Sequence, residues 1–304
     1  MIRIPLFSGF GSARYKSIFI IVLVLIGLAV MPSCKFTNLK KLPGRLPAGI
    51  MPTTFTTPIK PTYSGMNLTL QQIAGELQKR KAVRNLKGKF KVYTGTLTGM
   101  GTQTFDVLCG LDRPRQNIRL RASQNYGTLL DVLIKDGRFE AQNFAEKTTV
   151  NGTIAQLEAN PSITAGMMPV MLFDVIGVQD TLLDRFARSD IRTWLRHTPG
   201  AYRIDIVRPD RSAERFILRD SDLLITHYAR YRDNLFLPNR TYFTADYTGY
   251  RTAGKNTYVP SGFVISAFQG EVGVIVEEAE TNITLPPAMF VMENRPEGFR
   301  NIRL

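Results

Sequence analysis

Two histidines, His197 and His227, and two cysteines, Cys34 and Cys109, are all the imidazole and thiol in 304 residues. Neither histidine has a second histidine, a cysteine or a carboxylate at the helical spacing that zinc ligands take, so no metal is expected. Asp190, upstream of His197, reads as a helix-start residue. A Ser/His/Asp hydrolase needs its serine on a Gly-x-Ser-x-Gly elbow, which the chain lacks. The glycines of Gly95 and Gly99-Met100-Gly101 are not followed by the Lys and Ser/Thr of a phosphate loop. Glu277, Glu278 and Glu280 cluster late in the chain and read as strand residues facing water. Cys109, between Leu108 and Gly110, reads as a small buried apolar side chain. The chemistry on offer is therefore not catalysis; no enzyme activity and no cofactor are expected.

What remains is bulk character. The chain is 44% hydrophobic, enough for a sizeable core, and carries a formal net charge of +14. A balance this basic suits an anionic partner such as acidic lipid headgroups, lipid A phosphates or nucleic acid; a solvated basic surface is the plainer alternative.

The elements that carry these residues are mostly strands. In residues 117–152, Ile118, Leu120 and Ala122 alternate with Arg119 and Arg121, and Leu130, Val132 and Ile134 with Asp131, Leu133 and Lys135. That is the period of a half-buried strand. Asp136-Gly137 accepts positive φ and predicts a tight reversal into residues 138–144, and Asn151-Gly152 predicts another before a strand over 153–157. Upstream, Thr69 or Asn67 caps a predicted helix running to about Val83 on Leu70, Ile73, Ala74 and Leu77. Lys79, Arg80, Lys81 and Arg84 make its end basic, which complements the helix dipole and reads as a solvated face, with contact to lipid headgroups as the alternative. Strands are predicted over 87–97 and 102–111, joined by a glycine-flanked tip that carries Leu97 and Met100. Exposed apolar residues on such a tip suit contact with a bilayer or a partner; a turn whose Leu97 packs back on the sheet is the plainer alternative.

Residues 166–178 (GMMPVMLFDVIGV) break the strand pattern, being apolar all round, and predict a buried or site-lining helical insert. Residues 180–194 continue as a more amphipathic helix. Strands then resume over 202–208, 215–218, 223–232, 240–247, 262–268 and 272–280, ahead of an irregular C-terminus. The fold class is α+β: a single large antiparallel sheet of about eleven strands with helices covering it.

The N-terminus reads as delivery. Residues 1–17 are basic, and Ile18–Val30 is an apolar run of the length of a signal-peptide core, short for a bilayer span. Met31-Pro32-Ser33-Cys34 resembles a bacterial lipobox. The resemblance implies cleavage before Cys34 and acylation of its thiol and new amino terminus, which anchors stably. Residues 1–33 are then the signal peptide, and 34–66, rich in Pro and Thr, an extended tether. Lys35 after the cysteine points, by analogy with enterobacterial sorting, to the outer membrane.

The remaining residues, 67–304, form the folded domain, and from roughly Leu70 to Gly298 it resembles the LolA/LolB-like family of bacterial lipoprotein carriers and receptors. The resembling elements are residues 117–121, 130–134 with Asp136-Gly137-Arg138-Phe139, and Asn151-Gly152. Later ones are Leu237-Pro238-Asn239-Arg240, residues 258–262, and Ala279-Glu280-Thr281-Asn282 with Arg295-Pro296-Glu297-Gly298. The resemblance implies an unclosed half-barrel with helices across its mouth and acyl chains held between. Met167, Met168, Met171, Leu172 and Phe173 become the expected lid, since methionine adapts to ligands of variable shape. Phe90, Val92, Phe105, Val107, Leu120, Leu130 and Val132 become the facing wall; ordinary core is the alternative for all of them. The expected protein is an outer-membrane lipoprotein facing the periplasm. Its partners would be the membrane through Cys34, acyl chains of lipoproteins or lipids, and a periplasmic carrier, with no nucleic acid. A scaffold with a filled core and an envelope-stress sensor of the same fold are the alternatives.

Overall fold

A computed structural model describes residues 63–94, 103–125, 127–159, 171–237, 241–267, 270–292 and 297–304. Cys34 and its tether, Leu97, Met100, Met167, Met168, residues 238–240 and residues 293–296 lie outside the described residues.

The N-terminal helix α1 (Leu70–Gln78) opens with a reciprocal cap. Thr69 Oγ1 accepts from the Gln72 amide, and the Gln72 side chain accepts from the Thr69 amide. The helix stops five residues short of the predicted Val83. A first meander follows: β1 (Asn85–Thr94), β2 (Gln103–Asp112), β3 (Asn117–Gln124), β4 (Gly127–Lys135), β5 (Arg138–Asn143) and β6 (Thr148–Thr153). Asp136 and Gly137 take φ of 51° and 71° in the expected tight β4–β5 turn. Asn151-Gly152 makes no turn. It lies inside β6, opposite Glu140 and Phe139, and the reversal comes earlier, through Lys147 at φ 51°. What was predicted as a strand over 153–157 is a short helix, α2 (Ile154–Glu158), because Thr153 and Gln156 form a second capping box.

The helical insert holds α3 (Met171–Ile176) and α4 (Val178–Phe186). The predicted helix does not reach Trp194: residues 192–198 form a strand. A second meander runs through β7 (Arg192–Thr198), β8 (Ala201–Val207), β9 (Ala213–Arg219), β10 (Ile225–Tyr231), β11 (Thr241–Thr252), β12 (Tyr258–Ala267) and β13 (Gly270–Thr281). Asp190 starts no helix; it sits in the bend before β7, 2.6 Å from Arg188. The C-terminus is less irregular than predicted. A 3₁₀ turn (Pro287–Phe290) precedes β14 (Arg300–Arg303), which pairs in parallel with β6.

All fourteen described strands, rather than about eleven, form one sheet in the order β14-β6-β5-β4-β3-β2-β1-β13-β12-β11-β10-β9-β8-β7. Except for β14 the pairing is antiparallel, and the sheet is unclosed. The two meanders join through β1 and β13, where Leu86 faces Thr281 and Val92 faces Val274. Since β6 and β7 lie near opposite edges, the chain between them must cross the sheet's inner face, which carries the core. On the outer face the 3₁₀ turn crosses β2, where Gly110 leaves room for Met289. A Cβ at position 110 would stand 2.4 Å from the Met289 sulfur.

Candidate functional site

The inner face of β1–β4 is an apolar wall built by register. Phe90 lies opposite Val107 and Val92 opposite Phe105; Val107 faces Ala122, Ala122 faces Leu130, and Leu120 faces Val132. All seven expected wall residues are buried. Antiparallel neighbours about 4.8 Å apart put these side chains in unbroken rows. Each burial of a side chain this size contributes about 1.5–3 kcal/mol.

The crossing segment covers this wall. Met171, Leu172 and Phe173 of α3 are half-buried and packed against the core. Leu172 closes over a void of about 30 Å³ lined by Phe90, Val92, Val107, Leu120, Ala122 and Leu130, with Phe263 and Val274 from the second meander. Phe173 closes against Leu86 and Leu111, leaving about 10 Å³. Ligand cavities run to some 300–1,000 Å³, so the cleft is shut with α3 in this position. A wider, open groove of about 660 Å³ lies on the outer face beside Met289 and Leu108, rimmed by Lys87, Arg121 and Glu280.

Polar bonds fasten the cover around its rim. Arg113, in the β2–β3 turn, donates to the carbonyls of Phe173 (3.3 Å) and Gly177 (3.4 Å), to Thr181 Oγ1 (3.3 Å) and to Asp184 (2.7 Å). Tyr247 on β11 donates its hydroxyl to Val175 O at 2.9 Å. Asp180 accepts from the Val83 amide at 2.8 Å. On the far side Arg185 of α4 donates to Glu214 at 2.8 Å, while Arg208 (2.7 Å) and the Tyr228 hydroxyl (2.8 Å) donate to the same carboxylate. Glu214 is fully buried. Burial alone would raise its carboxyl, but the Arg185 hydrogen bond and the charges of Arg185 and Arg208 outweigh that and hold it below the ordinary value. Asp174 and Asp180 go the other way: burial raises both, against weaker help from Arg185 and Arg113 for the first and from the Val83 amide for the second.

Arg80 is not part of a solvated basic face. It is inserted under the sheet, donating to the carbonyls of Asp222 and Leu223 and to Gln179 (3.0 Å), with its guanidinium 5.4 Å from the Tyr258 ring centre. Arg80, Arg113, Arg185 and Glu214 are the residues that the sequence reading missed. Glu214 carried a signal, falling on the inward parity of β9 with Phe216 and Leu218. The histidines make ordinary pairs: His197 Nδ1 with Asn67 Oδ1 (2.6 Å) and His227 Nδ1 with Asp246 (2.7 Å). Among the described residues no three His, Cys, Asp or Glu groups come together to hold a metal.

Cys109 lies in the row between Val107 and Leu111, the row beneath α3, and burial pushes its thiol pKa up. In a Cys34→Ser chain it is the sole thiol, so its modification rate reports opening of the cover. Arg113→Ala removes four contacts to α3 and α4 and is expected to raise that rate about ten-fold. An unchanged rate would mean that Arg113 does not hold the cover.

No protein-family pattern matches the chain, and no curated protein matches it. Solved structures to which it is similar include a LolA superfamily protein from Nitrosomonas europaea. That protein is 12% identical, with 74% of this chain and 99% of that chain covered at a TM-score of 0.45. A domain described as outer membrane lipoprotein-sorting, from Vibrio parahaemolyticus, is 9% identical, covering 72% and 94% at 0.46. The lipoprotein LppX from Mycobacterium tuberculosis is 10% identical, covering 72% and 100% at 0.29. The chemistry of the cleft rests on its own residues.

Proposed function

We propose that the chain is a cell-envelope lipoprotein, anchored at Cys34 in the outer membrane, whose folded domain takes acyl chains between α3–α4 and the β1–β4 wall. It receives or hands on a lipidated protein or a lipid, with no covalent step. The observation that carries this reading is the contrast between wall and rim. A broad, wholly apolar surface lies under a cover whose half-buried α3 is held at its margins by hydrogen bonds and ion pairs. Each methylene transferred into such a space contributes about 0.8 kcal/mol, so a long acyl chain can offset the loss of several rim contacts. The cleft stays shut without cargo, which keeps the wall from water.

The void of about 30 Å³ favours a second reading, an envelope scaffold that kept the fold and filled its core. Native mass spectrometry of the full chain, purified from a bacterial envelope and followed by lipid extraction, separates the two. Acyl groups on Cys34 survive denaturation; cargo does not. Near-stoichiometric extractable acyl species, lost in a folded Leu172→Asp variant, is the expected result. A domain free of non-covalent lipid, with no uptake of offered acylated peptide, would leave the scaffold.

A further inference from the structure

The chain has one tryptophan, and it is exposed. Trp194 is 47% accessible on β7, the open edge of the sheet. Register places Trp194 opposite Asp205, and Asp205 opposite Arg215. The Arg215 guanidinium lies 4.7 Å from the Phe236 ring centre. Two strand spacings, about 10 Å, therefore separate the Trp194 row from the loop that carries Phe236 on the same outer face. That loop exposes Leu235 (59%) and Leu237 (44%), and Tyr242 lies exposed beside it on β11. Four of the seven exposed large hydrophobic residues described thus lie toward one end of the strands β7 to β11, spread over four strand spacings.

Cations flank this corner. Arg192 and Arg196 share the outer face with Trp194, and both are exposed with no acidic partner among the described residues. Arg232 lies over the Tyr242 ring at 5.2 Å. The acids nearby are engaged: Asp205 by Arg203 and Arg215, Asp190 by Arg188, Asp210 by Ser212, and Asp233 by the Leu235 amide. Arg188, Arg192, Arg196, Arg203, Arg211, Arg215 and Arg232 outnumber Asp190, Asp205, Asp210 and Asp233, so the outward charge of the corner is positive. Tryptophan and tyrosine settle at the headgroup level of bilayers, and arginine pairs there with phosphate while its stem stays apolar. An acidic protein would match the arginines but leave Leu235 and Leu237 without a reason to be exposed.

We infer that this corner, with Trp194 at its outer edge, docks on an anionic phospholipid bilayer, seating the sheet edgewise on the membrane. The docking is independent of the cleft. A basic side chain at an anionic surface contributes about five-fold in partition, so Arg192→Ser with Arg196→Ser should shift the docking equilibrium about 25-fold toward the undocked state.

The test uses the full chain in proteoliposomes, where Trp194 alone fluoresces as tryptophan. In phosphatidylglycerol-containing vesicles its emission should move to the blue and be quenched by lipids brominated on their acyl chains. In phosphatidylcholine vesicles it should stay at the water-exposed wavelength. The double arginine variant should lose the shift, and Leu172→Asp, which disables only the cleft, should keep it. No shift in either vesicle, or an equal shift in both, overturns the proposal. A shift produced by soluble polyglutamate and not by anionic vesicles overturns it in favour of an acidic protein.

Discussion

Glu214→Gln is expected to cost about 3–5 kcal/mol of folding stability, because it strips Arg208 of its buried counter-charge and leaves Arg185 only the more distant Asp174 carboxylate at 3.8 Å. For a domain of this size that is a fall of roughly 10 °C in the thermal midpoint. Glu214→Leu with Arg185→Met is the informative companion. A buried pair replaced by matched apolar groups is often neutral, so the double variant should recover part of the loss if the cost is stranded charge. The native pair also sets the acid limb of stability. The Glu214 carboxyl is held below its ordinary value of about 4.3, so its contribution is complete above that pH and fades as pH falls through the lower, folded value. Asp174 and Asp180 have the opposite sign. Their raised values favour the protonated form in the folded state, and the stability they add at low pH is lost as pH rises through those values. Urea midpoints across pH 3–7 check both: Glu214→Gln should flatten the acid limb, and Asp174→Asn should reduce the loss on the rising side to the share of Asp180. A native-like midpoint for Glu214→Gln would show that Arg185 does not depend on it.

Arg80→Ala is the second large effect. It strands two carbonyls, of Asp222 and Leu223, and takes the partner from Gln179, for about 2–4 kcal/mol. Lysine should not rescue it. One ammonium cannot spread donors over three acceptors on the β9–β10 turn and α4 while lying flat over Tyr258. Amide exchange supplies the local readout, since the α1 amides of Ile73 and Leu77 should exchange faster while those of β3 and β4 change little. Uniform acceleration across the sheet would place Arg80 in the global core.

The wall was legible in the sequence for a plain reason: one side of β1–β4 is apolar at every second residue, and nothing competes with that period. The latch residues were harder to read because each looks like something ordinary. Arg80 continues the spacing of Ile73 and Leu77 just past the end of α1, yet sits in a basic run that invites a solvated explanation. Glu214 interrupts the inward positions of β9 and lies just outside the strand predicted over 215–218. Two errors came from competing local signals. Asn151-Gly152 is a strong turn pair, and the capping box of Thr153 and Gln156 beside it was overlooked. In β7, Arg192–Thr198 alternates without an apolar face because an edge strand has half its surface in water, so its period resembled the tail of a helix. Strand order was beyond reach. No residue in β1 announces that its second neighbour is β13 rather than another strand of its own meander.

That last pairing has a kinetic consequence. Each meander can assemble from contacts between near neighbours in the chain, but the seam between them, with Leu86 against Thr281, closes one of the longest loops the chain can make. Such contacts come late and slowly. Until they form, β1 and β13 are bare edges with unpaired amides, the kind of edge that recruits other chains. The segment that crosses the inner face ties the two halves together through this period, holding each near the other while both wait to join. The cover over the wall is then also a tether for assembly, and the lag before the seam closes is the interval in which the chain is most exposed to misassembly.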